Sequence, residues 1–128
     1  MIFGIGTDIV QVSRIQRNLD RYGDRFARRI LGDSEYQEYL RSQQPARFVA
    51  KRFAVKESVA KAFGTGFTGG LSYREITVRH GKTGNPLLHL TGRAAELSAE
   101  LGIDRDFVSI ADEKEYAVAF VTLTVSRG

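Results

Sequence analysis

The chain has 128 residues, of which 42% are hydrophobic, no Cys, and a formal net charge of +4. That length suits one domain spanning 1–128, with one core. The missing Cys excludes a disulfide scaffold, a thiolate metal site and a cysteine nucleophile. No apolar run approaches the ~18–20 residues of a membrane span. The opening MIFGIGTDIVQVSRI lacks the basic start and unbroken apolar stretch of a signal peptide. A soluble cytoplasmic protein that does not enter membranes is the expectation.

The first element in chain order is a strand over 2–10, IFGIGTDIV, rich in Ile and Val. Alternation puts Phe3, Ile5, Thr7 and Ile9 on one face, and Gly4, Gly6 and Asp8 on the other. Ser13 has the character of an N-cap for a helix running to about Tyr22, with Ile15 and Leu19 as its core stripe. A short helix, Asp24 to Ile30, buries Phe26 and Ile30 and stops at Gly32. Asp33 or Ser34 caps the next helix, EYQEYLRSQ. Pro45 opens the longest helix, where its missing N–H costs nothing, and Gly64 and Gly66 end it after Phe63.

The second half changes character. REITVRH (74–80) alternates as a strand, GKTGNP (81–86) turns, and LLHL (87–90) returns. A helix follows over 92–101 with Gly102 as its stop. FVSIADE and YAVAFVTLTV are strands joined through DEKE. Helical runs beside antiparallel pairs point to an α+β fold, with an antiparallel sheet packed on the long helix.

The positive charge is concentrated. Arg14, Arg17, Arg21, Arg25, Arg28 and Arg29 fall in one segment, and Arg41, Arg47, Lys51, Arg52 and Lys56 follow. The interleaved acids are fewer: Asp20, Asp24, Asp33, Glu35 and Glu38. Two readings fit. One is a solvated helix face. The other is a surface for an anionic partner: nucleic acid, a phosphorylated small molecule or an acidic protein.

Several residues suit chemistry, each with an ordinary alternative. Asp8 is unusual inside an apolar strand. It either ends the strand as a cap or is a carboxylate held on rigid backbone. Gly4 and Gly6 on its face leave room for a ligand or another element. Glu57 and Lys61 stand i,i+4 on the long helix, a common surface pair. Small neighbours at Ala50, Ala54 and Ser58 leave both free to contact something else. GTGFTGG (64–70) is a helix stop and loop whose N–H groups also suit an oxyanion; it is not a Walker loop. His80 and His89 lack metal-pair spacing, and no Ser sits in a nucleophile elbow. Two carboxylates, a lysine and a basic face together suit Mg²⁺-assisted chemistry on a phosphorylated substrate.

GIGTDIV (4–10) followed by RFAVKESVAKAFGTG (52–66) resembles the holo-acyl-carrier-protein synthases, the small single-domain 4′-phosphopantetheinyl transferases of bacterial fatty-acid synthesis. The likeness continues through YREITV (73–78), GNPLLHLTG (84–92) and VSIADEKEYAVAFV (108–121). It implies transfer of 4′-phosphopantetheine from coenzyme A to a serine of apo acyl carrier protein. Asp8 and Glu57 are then the Mg²⁺ ligands. Lys61 steadies the phosphate, and Gly64, Gly66 and Pro86 border coenzyme A with it. Arg14, Arg21 and Arg25 meet the acidic carrier, and the assembly is a homotrimer. The strand YAVAFVTLTV, apolar on both faces, is expected to be buried on both. Many family members carry Ser-His where this chain has Ala111-Asp112. Asp112 then either takes over as base or only opens the hairpin turn. The alternative to the enzyme is a small basic nucleic-acid-binding module, which would need a recognition motif or stacking platform not evident here.

Overall fold

The computed structural model describes residues 1–126. Five strands and five helices follow one another as β1 (Ile2–Gln11), α1 (Val12–Tyr22), α2 (Asp24–Ile30), α3 (Asp33–Arg41), α4 (Pro45–Phe63), β2 (Ile76–His80), β3 (Pro86–Leu90), α5 (Gly92–Glu100), β4 (Ile103–Asp112) and β5 (Tyr116–Val125). A 3-10 turn, Tyr73–Glu75, precedes β2. The main sheet is antiparallel in the order β1-β5-β4, and β2 and β3 form a separate antiparallel hairpin. This is the α+β arrangement expected. No helix among the described residues is long and apolar enough to cross a membrane.

α4 crosses one face of the main sheet and carries most of the core. Val49, Ala50, Ala54, Val55 and Val59 are fully buried, as are Ala117, Ala119 and Val121 on β5. The helix can lie this close because β1 presents glycine to it. A Cβ on Gly4 would fall 2.0 Å from the Ala62 carbonyl oxygen, and one on Gly6 would fall 1.8 Å from that of Ser58. The space left beside Asp8 is therefore filled by α4. Gly64 closes the helix in the left-handed region at φ 85°, its N–H bonded to the Lys61 carbonyl.

Several expectations change. Ser13 lies inside α1, whose N-cap is Gln11. Asp33 and Ser34 lie inside α3; the N–H of Gly32 ahead of it is accepted by Glu35 Oε1 at 2.9 Å. β1 continues three residues past Asp8, so Asp8 is not a strand-end cap. Arg52 and Lys56 leave the basic surface altogether. Lys56 Nζ donates to Glu35 Oε1 at 2.6 Å, to the Ile30 carbonyl at 2.7 Å and to the Tyr73 carbonyl at 3.1 Å. Glu35 and Lys56 both have side chains at 0% exposure, and Arg52 Nε stands 3.5 Å from Glu35 Oε2. An ammonium has three donors, and here all are used. Burial pulls the Lys56 pKa down from its ordinary value, with the Glu35 carboxylate opposing that shift.

β5 also differs. Ala117, Ala119, Val121 and Leu123 face the core, but Tyr116, Val118 and Phe120 on the other side are exposed in the single chain. Ile5 and Ile9 on β1 and Phe107 on β4 are exposed too. The main sheet thus has one face covered by α4 and one apolar face open.

Candidate active site

β1 supplies Asp8, and α4 supplies Glu57 and Lys61 one turn apart. Lys61 Nζ reaches Asp8 Oδ1 at 3.1 Å and the Thr7 carbonyl at 2.9 Å. The surface pair that Glu57–Lys61 spacing allows is not made: among the described residues Glu57 has no ion pair. Its Oε1 instead accepts from the Tyr73 hydroxyl at 2.6 Å. Burial first, and then the bonded Glu57 carboxylate, hold the Tyr73 phenol protonated well above its usual range, with Asp8 adding to the effect. Asp8, Glu57, Lys61 and Tyr73 are one electrostatic group.

Two of these residues are hard oxygen donors of the kind Mg²⁺ takes. Among the described residues no cluster of three or more His, Cys, Asp or Glu could form an all-protein cage. Two carboxylates with open positions fit a Mg²⁺ that keeps waters and binds substrate phosphate. Asp8 already holds a cation, the Lys61 ammonium, so a positive charge is accepted there. Lys61 is about half exposed, with its side chain at 51%, while Asp8 is at 17%.

Gly64 and Gly66 follow directly, and the Gly66 N–H is bonded to the Ala60 carbonyl at 3.2 Å. Arg14, Arg21 and Arg25 are exposed on α1 and α2. Arg14 lies 6.0 Å from the Phe53 ring, one turn of α4 before Glu57. Arg25 lines a concavity with Asn18, Tyr22, Phe26 and Arg29.

Two expected residues stand apart within the chain. Asp112 ends β4 and is held by Arg47 Nε at 2.5 Å, with Lys51 Nζ at 4.0 Å. Arg47 and Glu57 are ten residues apart on α4, about 15 Å along its axis. Pro86 opens β3 opposite His80, which is four residues beyond Ile76 and so about 13 Å along β2. Tyr73 was not foreseen. Arg74 and Glu75, expected to open the strand over 74–80, instead belong with Tyr73 to a 3-10 turn closed by Ser72 and Glu75. Ser72 N–H donates to Glu75 Oε1 at 2.9 Å, and Arg74 N–H to Ser72 Oγ at 3.3 Å. The S-x-x-E spacing was the available signal.

Residues 4–121 match the model of the 4′-phosphopantetheinyl transferase superfamily. The chain is 58% identical over 127 residues to the holo-[acyl-carrier-protein] synthase of Nitrosococcus oceani, covering 99% of this chain and 82% of that one. The crystal structure of the holo-[acyl-carrier-protein] synthase from Neisseria meningitidis superposes with a TM-score of 0.92 at 41% identity, over 97% of this chain and 99% of that one. The Bacillus anthracis synthase, solved in complex with CoA (3′,5′-ADP), gives 0.82 at 36% identity, over 98% and 99%. The chain belongs to the 4′-phosphopantetheinyl transferase superfamily, and within it to the holo-[acyl-carrier-protein] synthase family. These relatives lend no support to the nucleic-acid-binding alternative.

Proposed function

We propose that this chain transfers the 4′-phosphopantetheine group of coenzyme A to a serine of apo acyl carrier protein, releasing adenosine 3′,5′-bisphosphate, as a cytoplasmic step of fatty-acid biosynthesis. The observation that carries the reading is the meeting of Asp8 with the Glu57–Lys61 turn of α4 in a chain that belongs to this family. The whole of 1–128 serves as one catalytic domain.

Asp8 and Glu57 would hold Mg²⁺. When bound, the ion supplies Lewis-acid polarisation of the pyrophosphate. Lys61, tied to Asp8 and the Thr7 carbonyl but half open to solvent, brings a positive charge to the phosphate as negative charge develops. Gly64, Gly66 and Pro86 border coenzyme A. Arg14, Arg21 and Arg25 steer the acidic carrier to the site. Asp112, already bonded to Arg47, serves better as that arginine's anchor than as the base.

The open apolar face of the main sheet supports a homotrimer. Ile9 is 64% exposed, Ile5 52% and Phe120 46%, and such a patch commonly marks an interface. Sedimentation equilibrium should give three chain masses; one chain mass would remove the trimer.

The activity test uses coenzyme A, MgCl₂ and apo acyl carrier protein, with the carrier followed by mass spectrometry. The carrier should gain one 4′-phosphopantetheine, and chelation with EDTA should stop the gain. An unmodified carrier at saturating coenzyme A would sink the assignment.

A further inference from the structure

Glu57 is a long, half-buried side chain on α4, and such side chains have much rotamer freedom to lose. Lys61, the neighbour that spacing offers it, is engaged with Asp8. Its one hydrogen-bond partner among the described residues is the Tyr73 hydroxyl, at 2.6 Å to Oε1. A donor to a carboxylate is among the stronger hydrogen bonds. It uses one oxygen and leaves Oε2 free.

Tyr73 is itself held twice over. Its ring stacks on Phe67, with centroids 3.9 Å apart, and on Phe53 at 5.6 Å. Its backbone carbonyl accepts from Lys56 Nζ at 3.1 Å. Lys56 is the residue immediately before Glu57, and its ammonium is locked by Glu35 and the Ile30 carbonyl. The buried ion pair therefore also sets the backbone position of the residue whose hydroxyl reaches Glu57. The capped turn Tyr73–Glu75 completes the support.

We propose that Tyr73 is the positioning residue for Glu57: its hydroxyl fixes the carboxylate in the orientation that leaves Oε2 for a divalent cation. The proposal rests on the metal-ligand reading of Glu57 given above. Outer hydrogen-bond partners of ligating groups set metal affinity by holding the ligand in place.

The test measures Mn²⁺ binding to the protein–coenzyme A complex by electron paramagnetic resonance, without carrier protein. Four chains are compared: native, Tyr73→Phe, Glu57→Gln and the double variant. Tyr73→Phe keeps the ring that stacks on Phe67 and Phe53 and removes only the hydroxyl. Its Mn²⁺ affinity should fall about tenfold, and Glu57→Gln should fall at least as far. The double variant should be no weaker than Glu57→Gln, because the hydroxyl acts through that carboxylate. In the carrier assay, the Mg²⁺ needed for half-maximal rate should rise in Tyr73→Phe, with KM for the carrier unchanged. Native Mn²⁺ affinity in Tyr73→Phe, beside weak binding in Glu57→Gln, would overturn the role of Tyr73 and leave Glu57 a ligand. Equal losses from Tyr73→Phe in both backgrounds would make the hydroxyl merely structural and overturn the proposal. Unchanged binding in Glu57→Gln would remove the metal-ligand reading, and the proposal with it.

Discussion

Lys56 and Lys61 sit on the same helix, five residues apart, and each pairs with a carboxylate from a different element. Their surroundings differ in one respect that decides their use. Lys56 and Glu35 are wholly buried, and every donor of the ammonium has a fixed acceptor. Lys61 is half exposed, and its partners are one carboxylate oxygen and one carbonyl. A charge with no alternative partner belongs to the architecture. A charge whose partner can be replaced by water, a cation or a phosphate is available for chemistry. The comparison shows that an ion pair on a helix is classified by how many competitors can reach it, not by its spacing or its length.

Substitutions along α4 should separate the two kinds. Lys56→Met should have the largest effect. It leaves Glu35 charged, buried and without its main counter-ion, which costs about 3–5 kcal/mol. Urea unfolding should show this as a lower midpoint, and a loss below about 1 kcal/mol would place Lys56 with the exchangeable pairs. Glu57→Ala should lower turnover by at least about a hundredfold, more than the loss of an outer partner usually costs, with the urea midpoint nearly unchanged. Near-native turnover would take Glu57 out of the site. Lys61→Met should invert the Lys56 result. Its stability should move by less than about 1 kcal/mol, as for an exposed pair, while kcat falls about a hundredfold, the lower end of what a lost charge-stabilising donor costs. Asp112→Asn should have the smallest effect, below about tenfold on kcat, which is less than the 10²–10⁴-fold a positioned base contributes. A thousandfold loss would instead make Asp112 the base, contributed across a subunit boundary.

Much of this fold is written in short-range signals. The Ile/Val run of β1, Pro45 at the start of α4 and Gly64 at its end mark their elements by backbone preference alone, and the structure puts them there. Gly4 and Gly6 likewise announce a close approach, though not of what. Signals failed where a long-range partner decides. Nothing local says that Lys56 meets Glu35, twenty-one residues earlier, so it reads as surface charge. Alternation on β5 cannot tell a face covered by α4 from one open in the single chain. The site divides the same way. Asp8 and Glu57 were joined by resemblance to a family, since a strand and a helix nearly fifty residues apart carry no spacing rule. Tyr73 was missed because it lies one residue ahead of the strand expected over 74–80, where nothing local gives its side chain a partner, and only its contact with Glu57 gives the hydroxyl a purpose.

The pairing of β1 with β5 has a consequence for how the molecule is made. The middle strand of the main sheet is the last one synthesised, and both neighbours bond to it. β1, with Asp8, leaves the ribosome ahead of the other strands and has no sheet to join until residues 116–125 follow. Contacts of such high sequence separation form slowly. The newborn chain therefore holds Asp8, Glu57 and Lys61 before the strand that anchors β1 exists. Removing residues 116–125 would take the centre out of the sheet rather than trim its edge. Recovery of activity on refolding would then report docking of the first strand against the last, and lag behind the return of helix.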